Sequence, residues 1–144
     1  MYYYDYNYRT DLDLSLLNDI TKAINGEYSA IACYEGLARL APTDDARKQI
    51  LEIRQDEIKH LNVFSQIYTA MTGKQPTPQI VESCPSDYRA GLNFAFKDEQ
   101  DTVDFYQEIA DKAINPQIKE AFKRASTDEQ NHAVWFLYFL TYNH

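Results

Sequence analysis

Cysteine is scarce in this chain of 144 residues: Cys33 and Cys84 stand 51 positions apart, with no CxxC pairing. That usage encodes neither a disulfide framework nor a thiolate zinc or iron site. It predicts an intracellular, cytoplasmic chain, with Cys33 an inert core or interface residue and Cys84 a loop thiol. Glycine and proline are also few, 4 and 5 residues, which disfavours collagen-like, disordered and turn-rich β architectures. Basic residues are outnumbered, 14 against 22 acidic, and a net charge of −8 is unsuited to neutralising phosphates or anionic lipid. No nucleic-acid partner is expected. The longest apolar run, Ala133 to Leu140, has eight residues, where a membrane helix needs about 20, and no charged stretch followed by an apolar segment opens the chain. Neither a membrane span nor a signal peptide is expected.

What remains is a composition 44% hydrophobic and 25% charged, in a length sufficient for one complete core. From Leu12 the apolar positions Leu16, Leu17, Ile20, Ile24, Ile31 and Leu37 recur at helical spacing, predicting a first helix from about Asp13 to Leu40. Residues 1–11, with five tyrosines in the first nine positions and no periodicity, read as a tail, disordered or docked on a partner subunit. Ala41-Pro42 ends the first helix, and Thr43 caps a second from about Asp44 to Met71, closed by Gly73. Residues 73–85 carry three of the five prolines and form a connection. Ser86 is the candidate cap of a third helix reaching about Ile114, and Asn115-Pro116 opens a fourth that ends near Tyr142. Two helical hairpins, about 12–72 and 86–142, joined by one long crossover make an all-α four-helix bundle over residues 12–144.

The halves repeat. Offset by 72, ten of the 47 positions from Ala23 to Thr69 are identical to their counterparts, without a gap. Among the pairs are Glu27/Glu99, Tyr34/Tyr106, Asp56/Asp128, Glu57/Glu129, His60/His132 and Phe64/Phe136. Any duplicated bundle repeats apolar residues. Acidic residues and histidines on the buried stripe need a separate reason. Glu27 shares the line of Ile20, Ile24, Ile31 and Tyr34; Glu57 and His60 share a stripe with Ile53 and Phe64. From Glu27 to the helix end, and from the next helix start to Glu57, the chain climbs and descends ~20 Å, so the two glutamates lie level. The same arithmetic levels Glu99 with Glu129 and His132, and a pseudo-twofold pairing of hairpins brings all six side chains together.

Four carboxylates converging in a core, with no lysine or arginine on the facing stripe, would each cost several kcal/mol in desolvation. Two divalent cations balance four glutamates, and mixed carboxylate and imidazole donors suit iron first and manganese as the alternative. A glutamate from each of two helices and a Glu-x-x-His from each of the other two is the ferritin-like di-metal pattern. Through Glu27, Glu57-Ile58-Lys59-His60, Glu99 and Glu129-Gln130-Asn131-His132, the chain resembles the ferritin-like superfamily, most closely its rubrerythrin-type di-iron domain, over about residues 12–142. The resemblance implies that Glu57 and Glu129 bridge two iron ions, while Glu27 with His60 and Glu99 with His132 complete each one. Tyr34 and Tyr106, seven residues after Glu27 and Glu99, would stand behind the ligands as hydrogen-bond donors. Rubrerythrins carry a further glutamate three residues after the third-helix ligand, where this chain has Thr102, and a rubredoxin domain with four cysteines, where it has two. Electrons must therefore come from an external donor or from the iron itself.

A single Glu-x-x-His is usually a solvated pair, and stripe tyrosines are usually core; two such motifs, each with its glutamate 30 residues upstream, outweigh that reading. The function implied is a non-haem di-iron oxidoreductase of peroxidase or ferroxidase type that reacts ferrous iron with peroxide or O₂. The alternatives are a di-manganese catalase-like enzyme and a non-catalytic, iron-binding or spore-type structural protein. Thr102 is a candidate for orienting water or peroxide, His144 is expected to be solvated, and the apolar Ala133–Leu140 segment suggests a homodimer interface.

Overall fold

The computed structural model describes the backbone of residues 2–142 and the side chains of residues 14–142. It contains four helices, α1 (Tyr2–Leu40), α2 (Asp44–Thr72), α3 (Tyr88–Lys112) and α4 (Pro116–Tyr142), and among the described residues no strand. α1 begins eleven residues before the expected Asp13, over a stretch without the glycine or proline that would interrupt a helix. The expected docking of the tyrosine-rich tail and the solvation of His144 lie outside the described side chains. No helix of the described residues is long and apolar enough to cross a membrane.

Local chemistry sets the helix ends. The amide of Ala46 donates to Thr43 Oγ1 (3.1 Å), and Gly73 closes α2 at φ 73°, its amide donating to the Thr69 carbonyl (2.8 Å). Asn115 Oδ1 accepts from the amides of Gln117 and Ile118 ahead of α4, as the Asn-Pro pair predicts. α3 is capped one residue later than expected: Asp87, not Ser86, accepts from the Ala90 amide (3.0 Å). It also stops at Lys112 rather than Ile114, which is exposed.

Within each hairpin the helices pack closely on one another, and the hairpins meet along α1–α3 and α2–α4. At Gly91 the third helix comes so near α1 that an added Cβ would sit 2.7 Å from Leu37 Cδ1, so this crossing requires glycine or a shifted leucine. The apolar core comes in two parts. One holds Tyr34, Leu37, Ile50, Ile53, Leu92 and Phe136; the other holds Ile20, Ile24, Phe64, Tyr106, Ile109 and Phe122. Between them lies a layer, drawn from all four helices, of buried Glu27, Glu57, His60, Glu99, Glu129 and His132.

The crossover runs beside α1 in the same direction. The amide of Gln79 donates to Asn25 Oδ1 and that of Val81 to Ser29 Oγ, each at 2.9 Å. Two extended residues advance ~6.6 Å and four helical residues ~6 Å, so the strap keeps pace with the helix. Continuing upward, it lays Cys84 against Cys33, and the two form a disulfide. This corrects the expectation of an inert Cys33 and a free Cys84 thiol, and it withdraws the cysteine argument for an intracellular chain. The spacing of 51 residues carried no trace of the pairing, because the path of the crossover decides it.

Candidate metal centre

The six predicted ligands meet. One oxygen or nitrogen from each of Glu27, Glu57, His60 and Glu129 lies within 4.8 Å of the others, and Glu57, Glu99, Glu129 and His132 form a second such group. Glu57 and Glu129 belong to both. His60 Nδ1 lies 2.8 Å from Glu27 Oε2, 3.1 Å from Glu57 Oε1 and 3.1 Å from Glu129 Oε1. One ring nitrogen carries at most one hydrogen, so it satisfies one of these three oxygens. Glu57 Oε1, Glu99 Oε2, Glu129 Oε1 and His132 Nδ1 are all buried without a hydrogen-bond partner. Four orphaned donor atoms aimed into one space are rare in a folded core, and they fit a pair of cations.

Electrostatics supports the same fit. Burial pushes the carboxyls of Glu57 and Glu129 well above the usual range, and neighbouring glutamates push them further. Burial also raises Glu27, against the pull of His60. Glu99 is the exception: burial is outweighed by its contacts with Glu129 and His132, and its carboxyl is held low. Burial disfavours charge on the imidazoles, yet the glutamates lift His60 to about 11 and His132 to about 10. The metal-free cluster therefore holds protons where cations would otherwise sit.

Around the ligands, contacts cross between hairpins. Tyr34 donates to Glu99 Oε1, and Tyr106 is hydrogen-bonded to Glu27. Each tyrosine thus serves the ligand of the opposite half. His60 Nε2 donates to Asp128 Oδ2 and His132 Nε2 to Asp56 Oδ2, both at 2.8 Å, leaving each Nδ1 turned toward the glutamates. Arg124 Nε in turn donates to Asp128 Oδ1 (3.1 Å). Asp56 and Asp128 had no assigned role in the sequence reading, although the repeat paired them immediately before each Glu-x-x-His. Thr102 is not drawn into the cluster: its hydroxyl donates to the Asp98 carbonyl one turn back (2.7 Å). Between α2 and α4 a surface cavity of about 280 Å³, lined by Asp56, His60, Phe64, Ala125 and Asp128 among others, opens onto the His60 side of the cluster.

A four-helix bundle with paired Glu and Glu-x-x-His ligands across an internal twofold defines a ferritin-like protein. Comparison with known proteins agrees. The family model described as Rubrerythrin matches residues 91–142. The chain is 54% identical over 138 residues to the uncharacterized protein YhjR of Bacillus subtilis (strain 168), covering 96% of this chain and 95% of that one. Among solved structures, it superposes with a TM-score of 0.76 on a hypothetical protein from Pyrococcus furiosus (21% identity, 90% of each chain). It superposes with a TM-score of 0.74 on a ferritin-like, diiron-carboxylate protein from Bacillus anthracis str. Ames (24% identity, 90% of this chain and 97% of that one). The chain belongs to the same family as YhjR, its fold is that of ferritin-like, diiron-carboxylate proteins, and its second hairpin matches the Rubrerythrin model.

Proposed function

We propose that the chain is a non-haem di-iron oxidoreductase acting on hydrogen peroxide or O₂. The observation that carries this reading is the pair of four-atom ligand groups sharing Glu57 and Glu129, with orphaned, buried donor atoms in both. Glu57 and Glu129 would bridge the ions; Glu27 with His60 and Glu99 with His132 would complete each one. When bound, two ferrous ions supply two electrons to the oxidant. The chain's own residues do the rest. Four glutamates balance the ions, Asp56 and Asp128 hold the imidazoles in the ligating tautomer, and the tyrosine hydroxyls donate hydrogen bonds to Glu99 and Glu27. Burial, with neighbouring carboxylates, holds the Tyr34 and Tyr106 hydroxyls well above the usual tyrosine range, so both stay donors at neutral pH.

Anaerobic loading with ferrous iron tests the reading: two ions per chain are expected, followed by an optical change on separate addition of peroxide or O₂. Manganese uptake with oxygen release from peroxide would assign the catalase-like alternative, and a loaded chain inert to both oxidants would leave the metal structural. Homodimer formation is part of the proposal. In the Ala133–Leu140 segment, Val134, Leu137 and Tyr138 stay exposed after the bundle has used Phe136 and Phe139. A monomer by sedimentation would remove this part.

A further inference from the structure

The Cys33–Cys84 disulfide lies close to the cluster through named contacts. Cys33 is buried on α1 six residues beyond Glu27, ~9 Å along the axis. The next residue, Tyr34, donates to Glu99. Cys33 and Tyr34 also line one small cavity of about 20 Å³, room for a single water, together with Glu82 of the crossover and Asp98 beside Glu99. At the other end Cys84 is only half-buried, on a strap whose neighbours Glu82, Ser83 and Ser86 are exposed. The Cys33 side of the disulfide therefore adjoins residues that touch the ligands, and the Cys84 side is partly exposed.

Resting on the oxidoreductase reading above, we propose that Cys33 and Cys84 are a redox-active pair through which an external dithiol supplies the two electrons consumed with each peroxide. A thiolate of the reductant attacks Cys84 Sγ, and the Cys33–Cys84 bond breaks with Cys33 leaving. The reductant's second thiol then displaces Cys84 and closes the reductant's own disulfide, leaving both cysteines as thiols. Re-forming the Cys33–Cys84 bond releases two electrons and two protons. The electrons return to the oxidised metal pair and the protons join oxygen, so that H₂O₂ becomes two waters. The net reaction is dithiol plus peroxide to disulfide plus two waters, and it balances. It supplies the external donor that a chain with two cysteines, rather than a rubredoxin's four, requires.

The test counts thiols. Iron-loaded protein is reduced with dithiothreitol, freed of excess reductant without oxygen, given one equivalent of hydrogen peroxide, and quenched with an alkylating agent for mass analysis. Both cysteines should escape labelling on the timescale of peroxide loss, at least tenfold faster than in metal-free reduced protein. Peroxide consumed while both thiols remain labelled would sink the proposal and leave the oxidoreductase reading intact. Equal thiol loss with and without metal would sink it too, as would loss of iron on reduction, which would make the disulfide a staple. A loaded chain that leaves peroxide unconsumed ends this proposal, and one inert to O₂ as well ends both readings. Cys84→Ser should retain two metals by elemental analysis and lose dithiol-driven turnover. The wild-type labelling stands even if that variant misfolds.

Discussion

Asp56 and Asp128 show how much of the centre rests on residues one step behind it. Each carboxylate accepts from the imidazole of the opposite hairpin, so Asp128→Asn should loosen the metal at His60 and Asp56→Asn the one at His132. Losses of about 10- to 100-fold in affinity for one ion, read by competition with a chelator, are expected. Glu57→Ala or Glu129→Ala should instead cost both ions, because each belongs to both ligand groups; Glu27→Ala and Glu99→Ala should cost one each. A Glu129→Ala protein that keeps one tight ion would contradict the bridging role. The clustering of the six residues was readable because the repeat preserves charged residues where a bundle wants apolar ones. Asp56 and Asp128 were repeated as conspicuously, but their partners sit across the bundle and no spacing along one helix indicates them. Thr102 misled for a related reason: its side chain turns back on its own helix, which a register argument cannot foresee.

At the scale of elements, the caps separate what sequence specifies from what competition between neighbours decides. Thr43, Gly73 and Asn115-Pro116 hold the ends expected of them, Thr43 although Asp44 stands beside it. Ser86 and Asp87 stand side by side, and the carboxylate takes the amide. Asp87→Ala should therefore cost about 1 kcal/mol in chemical denaturation of the loaded protein, whereas Ser86→Ala should cost little. Equal losses would move the cap. The crossover was legible only as proline-rich and aperiodic; its course beside α1, and with it the disulfide, depends on backbone amides meeting Asn25 and Ser29. Polar residues on an exposed helix face give no sequence signal that they are receiving a strap.

For the whole molecule, the buried layer ties folding to metal and pH. In the metal-free protein the raised imidazoles contribute stability that is full below their ordinary value near 6.5 and lost as pH rises through about 10 to 11. The raised carboxyls of Glu57 and Glu129 act in the same direction, lost as pH rises through their elevated values; only Glu99, held low, loses its share on acidification. Metal-free protein should thus melt at lower temperature as pH is raised from mildly acidic to alkaline, while the loaded form changes less. Loading should release protons, measurable as acidification of a weakly buffered solution. No proton release would mean the glutamates were already ionised and the imidazoles already neutral. The division of the core bears on cooperativity as well. Neither apolar half runs the length of the bundle, so bound ions would act as the rivet that makes two short cores unfold as one. Strip them out, and amide exchange should separate into two populations. The end around Ile20, Ile24 and Phe122 should open first, because the other end keeps the strap and its sulfur link to α1.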